Sequence, residues 1–283
     1  MSGPIPEWVV TAFAAVTVFT VMVGLGLGIV VGELRWIWRQ PGPMARGLFS
    51  VLVAVPALAL VITRALELPR LATIGIVLMA ISPGAPVALR RSLGAGGHRA
   101  FAPSLQISVA ILAVVSMPLS IAALNHVYAG HASIAPWHIA RQVFVAQLLP
   151  LGLGIALRRA SAPIAARIEP AVARLGTALL VALAVIALID VWEVTLNAGL
   201  RVAAAIVLTT VAALAVGHLL GGPEPATRTA VAITSAARNP GLALLVATLN
   251  AAPDAIKATV LAYLLVSVIT IVPYVAWRRQ LTS

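Results

Sequence analysis

The chain has 283 residues, of which 61% are hydrophobic and only 10% are charged. Soluble domains average about 25% charged residues, so this composition excludes a soluble protein. The formal net charge of +11 comes from basic residues scattered between apolar segments, which does not favour a nucleic-acid-binding protein. The chain contains no cysteine, which excludes disulfides and thiolate chemistry.

Nine apolar segments follow one another along the chain with short connections, which predicts one transmembrane domain over residues 1–283. A helix of about 20 residues crosses a bilayer core of about 30 Å. The segments are continuous rather than alternating, which favours an all-α polytopic membrane protein over a β-barrel. The predicted spans cover roughly residues 8–31, 45–66, 71–90, 100–126, 138–157, 170–192, 201–220, 229–250 and 255–277.

The basic residues indicate how these spans are oriented. Most of the 19 Lys and Arg residues fall in the loops that follow the odd-numbered spans. Cytoplasmic loops are enriched in these residues. We therefore expect a multi-pass protein of the cell (inner) membrane, with its N-terminus outside and its C-terminus in the cytoplasm. An odd number of spans requires ends on opposite sides, so the charge bias and the span count agree.

Two of the predicted spans contain helix breakers. The third, LATIGIVLMAISPGAPVALRR, contains Pro83 and Gly84, and the eighth, TAVAITSAARNPGLALLVATLN, contains Pro240 and Gly241. Proline removes a backbone donor and glycine adds backbone freedom, so both spans are predicted to be broken helices. Unpaired backbone groups are tolerated at membrane depth only inside protein or beside a water-filled cavity. For either span alone, a simple packing kink is the alternative.

The two interrupted spans occupy matching positions in two predicted halves. By the charge pattern they run in opposite directions through the membrane. If spans five to nine (about 138–278) form a five-helix repeat, spans one to four (about 8–126) form the same repeat without its first helix. Paired interrupted segments in inverted halves indicate a secondary transporter, with a binding site where the segments cross.

Three segments resemble a known family. ISPGAPVALRRSLGAGG (81–97) resembles the C-P-G-G-x-x-S-N segment of the bile acid:sodium symporter (BASS, or SBF-like) family, and ARNPGLALLVA (237–247) resembles its E-x-x-x-Q-N-x-G-L-A segment. The early VMVGLGL (21–27), followed by a basic loop, fits as well. The resemblance, to a divergent bacterial-type member, implies a panel domain and a core domain with two crossing discontinuous helices. It also implies uptake of a bile-acid-like or carboxylate-like organic anion, usually coupled to sodium.

The chain departs from the family pattern at the expected sodium ligands. The family's Ser-Asn pair falls at Ala88 and Leu89, its Glu at Thr234 and its Gln at Arg238. Sodium sites usually include a carboxylate, which these positions lack, so coupling to sodium and transport without it both stay open. The possible ion-binding residues are Ser104, Ser108 and Thr234.

Arg238 is the tenth of the 22 residues of the eighth span. A charge at that depth costs roughly 2.5–3.5 kcal/mol, and such residues usually face a cavity or a partner. Arginine keeps its charge and binds a carboxylate bidentately, so we hypothesise that Arg238 clamps the acid group of the substrate, helped by helix N-termini. The alternative is that it bonds exposed carbonyls of the broken helix or reaches an interface. The predicted substrate-binding residues are Arg238, Asn239, Pro240, Gly241, Ser235, Thr234, Pro83 and Gly84.

Other functions fit the residues less well. Gln106 and Gln147 lie inside spans, where such residues more often join helices than bind ligands. The spans contain no residue set of an intramembrane protease, and no His pairs with an acid at metal-ligand spacing. We therefore expect no enzyme, no metal site and no cofactor except a possible Na⁺. An auxin-type efflux carrier and a non-transporting membrane sensor or scaffold stay as alternatives, and the residues do not specify an oligomeric state.

Overall fold

The computed structural model describes residues 7–29, 32, 41–84, 86–127, 136–190 and 199–281. Within these residues the secondary structure is helical, as the apolar segments predicted. The helices are α1 (Glu7–Gly28), α2 (Pro41–Ala65), α3 (Arg70–Ala80), α4 (Pro86–Gly94), α5 (Phe101–Val127), α6 (Pro136–Ala160), α7 (Ala162–Asp190), α8 (Gly199–Leu220), α9 (Pro225–Ala236), α10 (Pro240–Leu249) and α11 (Asp254–Gln280).

The described helices confirm an all-α polytopic membrane protein. Eight helical segments are long and apolar enough to cross a membrane when α9 and α10 are taken together. The third predicted span is not among them because it is divided into α3, with 11 residues, and α4, with 9 residues. The total of nine spans therefore stays a prediction. The predicted ends of the first span at residue 31 and of the sixth at residue 192 lie outside the described residues.

The local sequence explains both interruptions. Helix α9 ends because Ala237 is extended, with φ −81° and ψ 108°. Helix α10 then begins at Pro240, where the missing N–H of proline costs nothing. The side chain of Asn239 caps this helix by accepting the N–H of Leu242 at 3.1 Å. In the third span, Gly84 adopts φ +85°, a conformation that glycine takes without steric cost.

Two other helices contain a single π-helical turn. In α2 the turn covers Ser50–Ala54, and in α6 it covers Phe144–Leu148. Each is followed, two residues after its end, by a proline: Pro56 in α2 and Pro150 in α6. A π turn releases backbone groups from the regular helical ladder, and such turns are frequent at functional sites.

The helices pack in two groups. Helices α1, α6 and α7, here called the panel group, pack mainly on one another. The backbones of α1 and α6 touch at Gly26 and Gly154, where a Cβ on either residue would overlap the other helix. The remaining helices form the core group, in which α8 packs against α2, α9 and α11, and α3 packs against α11. This arrangement agrees with the panel and core that the resemblance implies, while the repeat symmetry stays a prediction.

Candidate functional site

The two interrupted spans meet at their breaks. The backbone N–H of Asn239 donates to the carbonyl oxygen of Ser82 at 2.9 Å. The hydroxyl of Ser82 donates to Leu78 one turn back at 2.7 Å, so its side chain stays with α3. Pro83 and Gly84 follow directly and are buried. The crossing is therefore formed by main-chain atoms in the interior of the protein.

Arg238 and Asn239 point to different sides of the crossing. The chain around them is extended, with φ −94° and ψ 90° at Asn239, and successive side chains of extended backbone alternate in direction. Asn239, Pro240 and Gly241 line a narrow gap against the panel helices α1 and α7. Arg238 contacts α2 in the core group instead.

Arg238 completes the hydrogen bonding of α2. Its side chain is only 4% exposed, and its Nη1 donates to the carbonyl oxygen of Val51 at 3.0 Å. In the π turn, the N–H of Val55 donates to Ser50, and Pro56 has no N–H. The carbonyl oxygen of Val51 therefore receives no backbone N–H from its own helix, and the guanidinium of Arg238 donates to it instead. The Nε and Nη2 atoms of Arg238 have no hydrogen-bond partner within the described residues.

Polar residues of the core group surround Arg238. The hydroxyls of Ser50 and Ser235 lie 2.8 Å apart and join α2 to the last turn of α9. Tyr263 of α11 is fully buried in the neighbourhood of Arg238. Thr234 is 2% exposed. None of the ion pairs among the described residues neutralises Arg238.

A second buried polar set lies at the first break. A Cβ placed on Gly84 would lie 2.9 Å from Nε2 of Gln147 and 3.7 Å from Nε2 of Gln106. Both glutamines are 0% exposed. Their amide atoms have no hydrogen-bond partner in the described part of the chain. The structure therefore does not show the helix-joining bonds that the sequence led us to expect of these two residues.

The hydroxyls proposed as ion ligands are in regular helix. Ser104 donates to Ala100 at 2.9 Å, and Ser108 donates to Ser104 at 2.8 Å. Helix α5 packs on α9, and Leu105 and Val231 belong to one buried cluster, so α5 borders the second interrupted span. The hydroxyl oxygens retain acceptor capacity. Across the described residues, no group of three or more His, Cys, Asp or Glu side chains could hold a metal ion.

The gap at the crossing is closed in this conformation. Its volume is about 10 Å³, which is room for one water molecule and not for an organic anion. A larger open groove of about 720 Å³ runs along α7, lined at one end by Arg90 and Arg174. Val181 in this groove is 59% exposed, as expected of a lipid-facing side chain. We therefore place the candidate site at the crossing and not in the groove.

Among the described residues, polar contacts join the panel group to the core group at two separate places. Asn250 of α10 donates from Nδ2 to Oε1 of Gln142 on α6 at 3.0 Å. Arg90 of α4 pairs with Glu169 of α7 at 3.1 Å. By the predicted topology, the first contact lies on the outer side of the crossing and the second on the cytoplasmic side.

A polytopic helical protein in which two interrupted helices meet at buried polar breaks has the architecture of a secondary transporter. The profile of the Sodium Bile acid symporter family (SBF) matches residues 15–198. The chain belongs to this family, as the resemblance predicted, and is a membrane transporter. The match includes the first break and ends before α8, so the second break rests on the sequence and the structure. A search of curated proteins finds no match.

Proposed function

We propose that the protein is a secondary transporter that carries a small organic anion by alternating access, with the anion bound at the crossing. The observation that supports this most strongly is a buried guanidinium beside the crossing, with two nitrogens that lack partners in the described residues. On the panel side of the crossing, the Nδ2 of Asn239, a residue that lines the gap, also lacks a partner in the described residues.

The charge of Arg238 is the reason for proposing an anion. A buried charge is costly unless a partner of opposite sign accompanies it, and none is present among the described residues. Nη1 is used by Val51, while Nε and Nη2 can still donate to a carboxylate. The substrate itself is thus the proposed counter-ion, as the sequence hypothesis had it, although part of the guanidinium has a structural role.

Alternating access follows from how the gap is bounded. The gap lies between the panel helices and the crossing, so an anion can enter only when the two groups separate. The Gln142–Asn250 contact and the Arg90–Glu169 pair close opposite ends of this interface. Breaking one contact while keeping the other would open the gap to one side at a time.

We further propose that Arg238 provides the positive charge that sodium provides in the family. Interrupted helices offer backbone carbonyls to sodium. Here a guanidinium nitrogen from the second break donates at 3.0 Å to the carbonyl oxygen of Val51, in the π turn of the neighbouring helix α2. A second cation about 4 Å from the guanidinium would be disfavoured by roughly 4 kcal/mol at an effective dielectric of 20. The residues therefore fit transport without sodium better than transport with it.

The first experiment is a thermal-stability screen of the purified protein against a panel of organic acids, in sodium and in choline buffer. A ligand at 100 times its Kd stabilises the folded state by about 2.7 kcal/mol. We expect an acid to stabilise the protein in choline, and we expect this effect to be lost in Arg238→Gln. The matched control is Arg201→Gln, the same change at an exposed position of α8, which should retain the effect.

The outcomes separate the alternatives. Stabilisation that is unchanged in Arg238→Gln would contradict the role of this arginine in anion binding. Stabilisation that appears only in sodium would show that sodium sites survive. In proteoliposomes, a stabilising acid that never crosses the membrane would favour the sensor or scaffold alternative, and net export would favour an auxin-type efflux carrier.

A further inference from the structure

The amides of Gln106 and Gln147, which meet at Gly84, lie outside the set of side chains assigned to anion binding by the preceding arguments. We propose that they form a second part of the substrate site, which binds a hydroxyl group carried by the anion. This inference rests on the proposed function and narrows its substrate class to hydroxylated carboxylates.

The burial of unpaired amides is the first argument. Both glutamines are 0% exposed, and neither their nitrogens nor their oxygens have partners within the described residues. Burying an amide without a hydrogen bond destabilises a protein, and buried polar groups are therefore almost always paired. Two such side chains at one position indicate that a ligand supplies the missing partners.

The position of the amides is the second argument. Both Nε2 atoms lie on the side of Gly84 where a Cβ would point, 2.9 Å and 3.7 Å from that Cβ position. Gly84 precedes the nine-residue helix α4, whose first N–H groups have no partner within their own helix. Amides from α5 and α6 thus meet at the first break, just before α4 begins.

The two glutamines also span the moving interface. Gln147 belongs to the π turn of α6 in the panel group, whereas Gln106 and Gly84 belong to the core group. A ligand that bonds both glutamines would hold the two groups together. Separation of the groups would release it, which is what a substrate contact in alternating access requires.

The chemistry of the amides selects a hydroxyl. Each amide presents unpaired donors and an unpaired acceptor, and a hydroxyl both donates and accepts. A hydrocarbon acid would leave all of these atoms unpaired. A site that hydrogen-bonds a substrate hydroxyl strongly rejects the analogue that lacks this hydroxyl. This discrimination is much larger than that of an apolar pocket between ligands of different size.

The test compares matched acids with and without a hydroxyl: lactate with propionate, 3-hydroxybutyrate with butyrate, and 6-hydroxyhexanoate with hexanoate. Kd values come from thermal stabilisation of the full chain. We expect wild type to prefer the hydroxylated member of at least one pair by about tenfold or more. Gln147→Met and Gln106→Met, which keep side-chain length, should bring that ratio close to one. Gln142→Met, at the other glutamine of α6, should leave the ratio unchanged.

A second readout needs no ligand. Gln142 has a partner, Asn250, so Gln142→Met should lower the melting temperature of the unliganded protein. Gln147→Met removes an unpaired amide and should not lower it. A fall like that of Gln142→Met would show that Gln147 has a structural partner, such as a bridging water, and would overturn the inference. Equal affinity for both members of every pair would also overturn it while leaving the proposed function intact. If no acid binds, both proposals fail.

Discussion

Arg238 donates from Nη1 to the carbonyl oxygen of Val51 at 3.0 Å, so a side chain at the second break completes the backbone of α2. That carbonyl lacks a donor because Pro56 has no N–H and the N–H of Val55 is directed to Ser50. The arginine is thus tied to the core group by one nitrogen and keeps two for other partners.

Replacement of Pro56 by alanine should make this bond redundant. Pro56→Ala restores an N–H and lets the π turn return to the regular ladder, so that the N–H of Val55 reaches Val51. We expect Pro56→Ala and Arg238→Gln to be non-additive by about 1 kcal/mol in the free energy of unfolding, the size of one hydrogen bond. A double-mutant cycle measured by reversible unfolding in detergent micelles gives this coupling.

The second π turn provides the control for that cycle. Pro150→Ala makes the same change in α6, which Arg238 does not contact through any hydrogen bond among the described residues. The effects of Pro150→Ala and Arg238→Gln should therefore add. Equal coupling to both prolines would contradict the assigned role of Pro56.

Gly84→Ala should disturb the first break. The residue adopts φ +85°, which costs roughly 1–2 kcal/mol for alanine, and the added Cβ would press on Gln147 at 2.9 Å. The matched control is Gly152→Ala in α6, where a Cβ would meet no atom within 4 Å and where alanine favours the helix by roughly 0.5–1 kcal/mol. Melting temperatures should fall for the first variant and not for the second. Equal melting temperatures would contradict the strained geometry at Gly84.

Glu169→Gln should favour opening toward the cytoplasm. It removes the ion pair with Arg90. The side chains of Arg90 and Glu169 are 50% and 28% exposed, so the pair stabilises the closed state only modestly, by roughly 0.2–1 kcal/mol. The chain has no cysteine, so Val87→Cys places a single thiol at the gap. We expect maleimide labelling from the cytoplasmic side to become up to about fivefold faster.

The exchanged pair, Arg90→Glu with Glu169→Arg, should restore the original labelling rate. Gln142→Leu breaks the other contact and should speed labelling from the outer side only. Faster labelling from the outer side in Glu169→Gln would contradict the assignment of this pair to the cytoplasmic end.

The orientation of the chain is also testable. The loops that follow the odd-numbered spans carry most of the basic residues, which predicts a cytoplasmic C-terminus. A green fluorescent protein fused after Ser283 should fluoresce, because it folds only in the cytoplasm. Alkaline phosphatase at the same position should be inactive, and the reverse result would contradict the topology.

Much of the architecture is predictable because its signals are local. Apolar length predicts spans, and Pro-Gly pairs predict breaks, which the structure confirms by ending α9 at Ala236 and beginning α10 at Pro240. The family assignment was predictable for the same reason, since the motif residues of the first crossing segment are contiguous in the chain.

The direction of Arg238 was not predictable. A helical register would place Arg238 and Asn239 about 100° apart on one surface, but the extended backbone sends them to different sides. A proline within a span is compatible with a kink and with a π turn. The sequence therefore did not predict that the carbonyl oxygen of Val51 would lack a backbone donor. The convergence of Gln106 and Gln147 on Gly84 depends on the packing of three helices and leaves no trace in sequence spacing.

The crossing bond between Asn239 and Ser82 uses only main-chain atoms. Any residue other than proline supplies the N–H at position 239, and every residue supplies the carbonyl at position 82. Side chains around the crossing can therefore diverge without loss of the scaffold that holds them. A lineage could exchange an ion-coupled site for one with its own fixed charge in a few substitutions, and the helices would not need to be rebuilt.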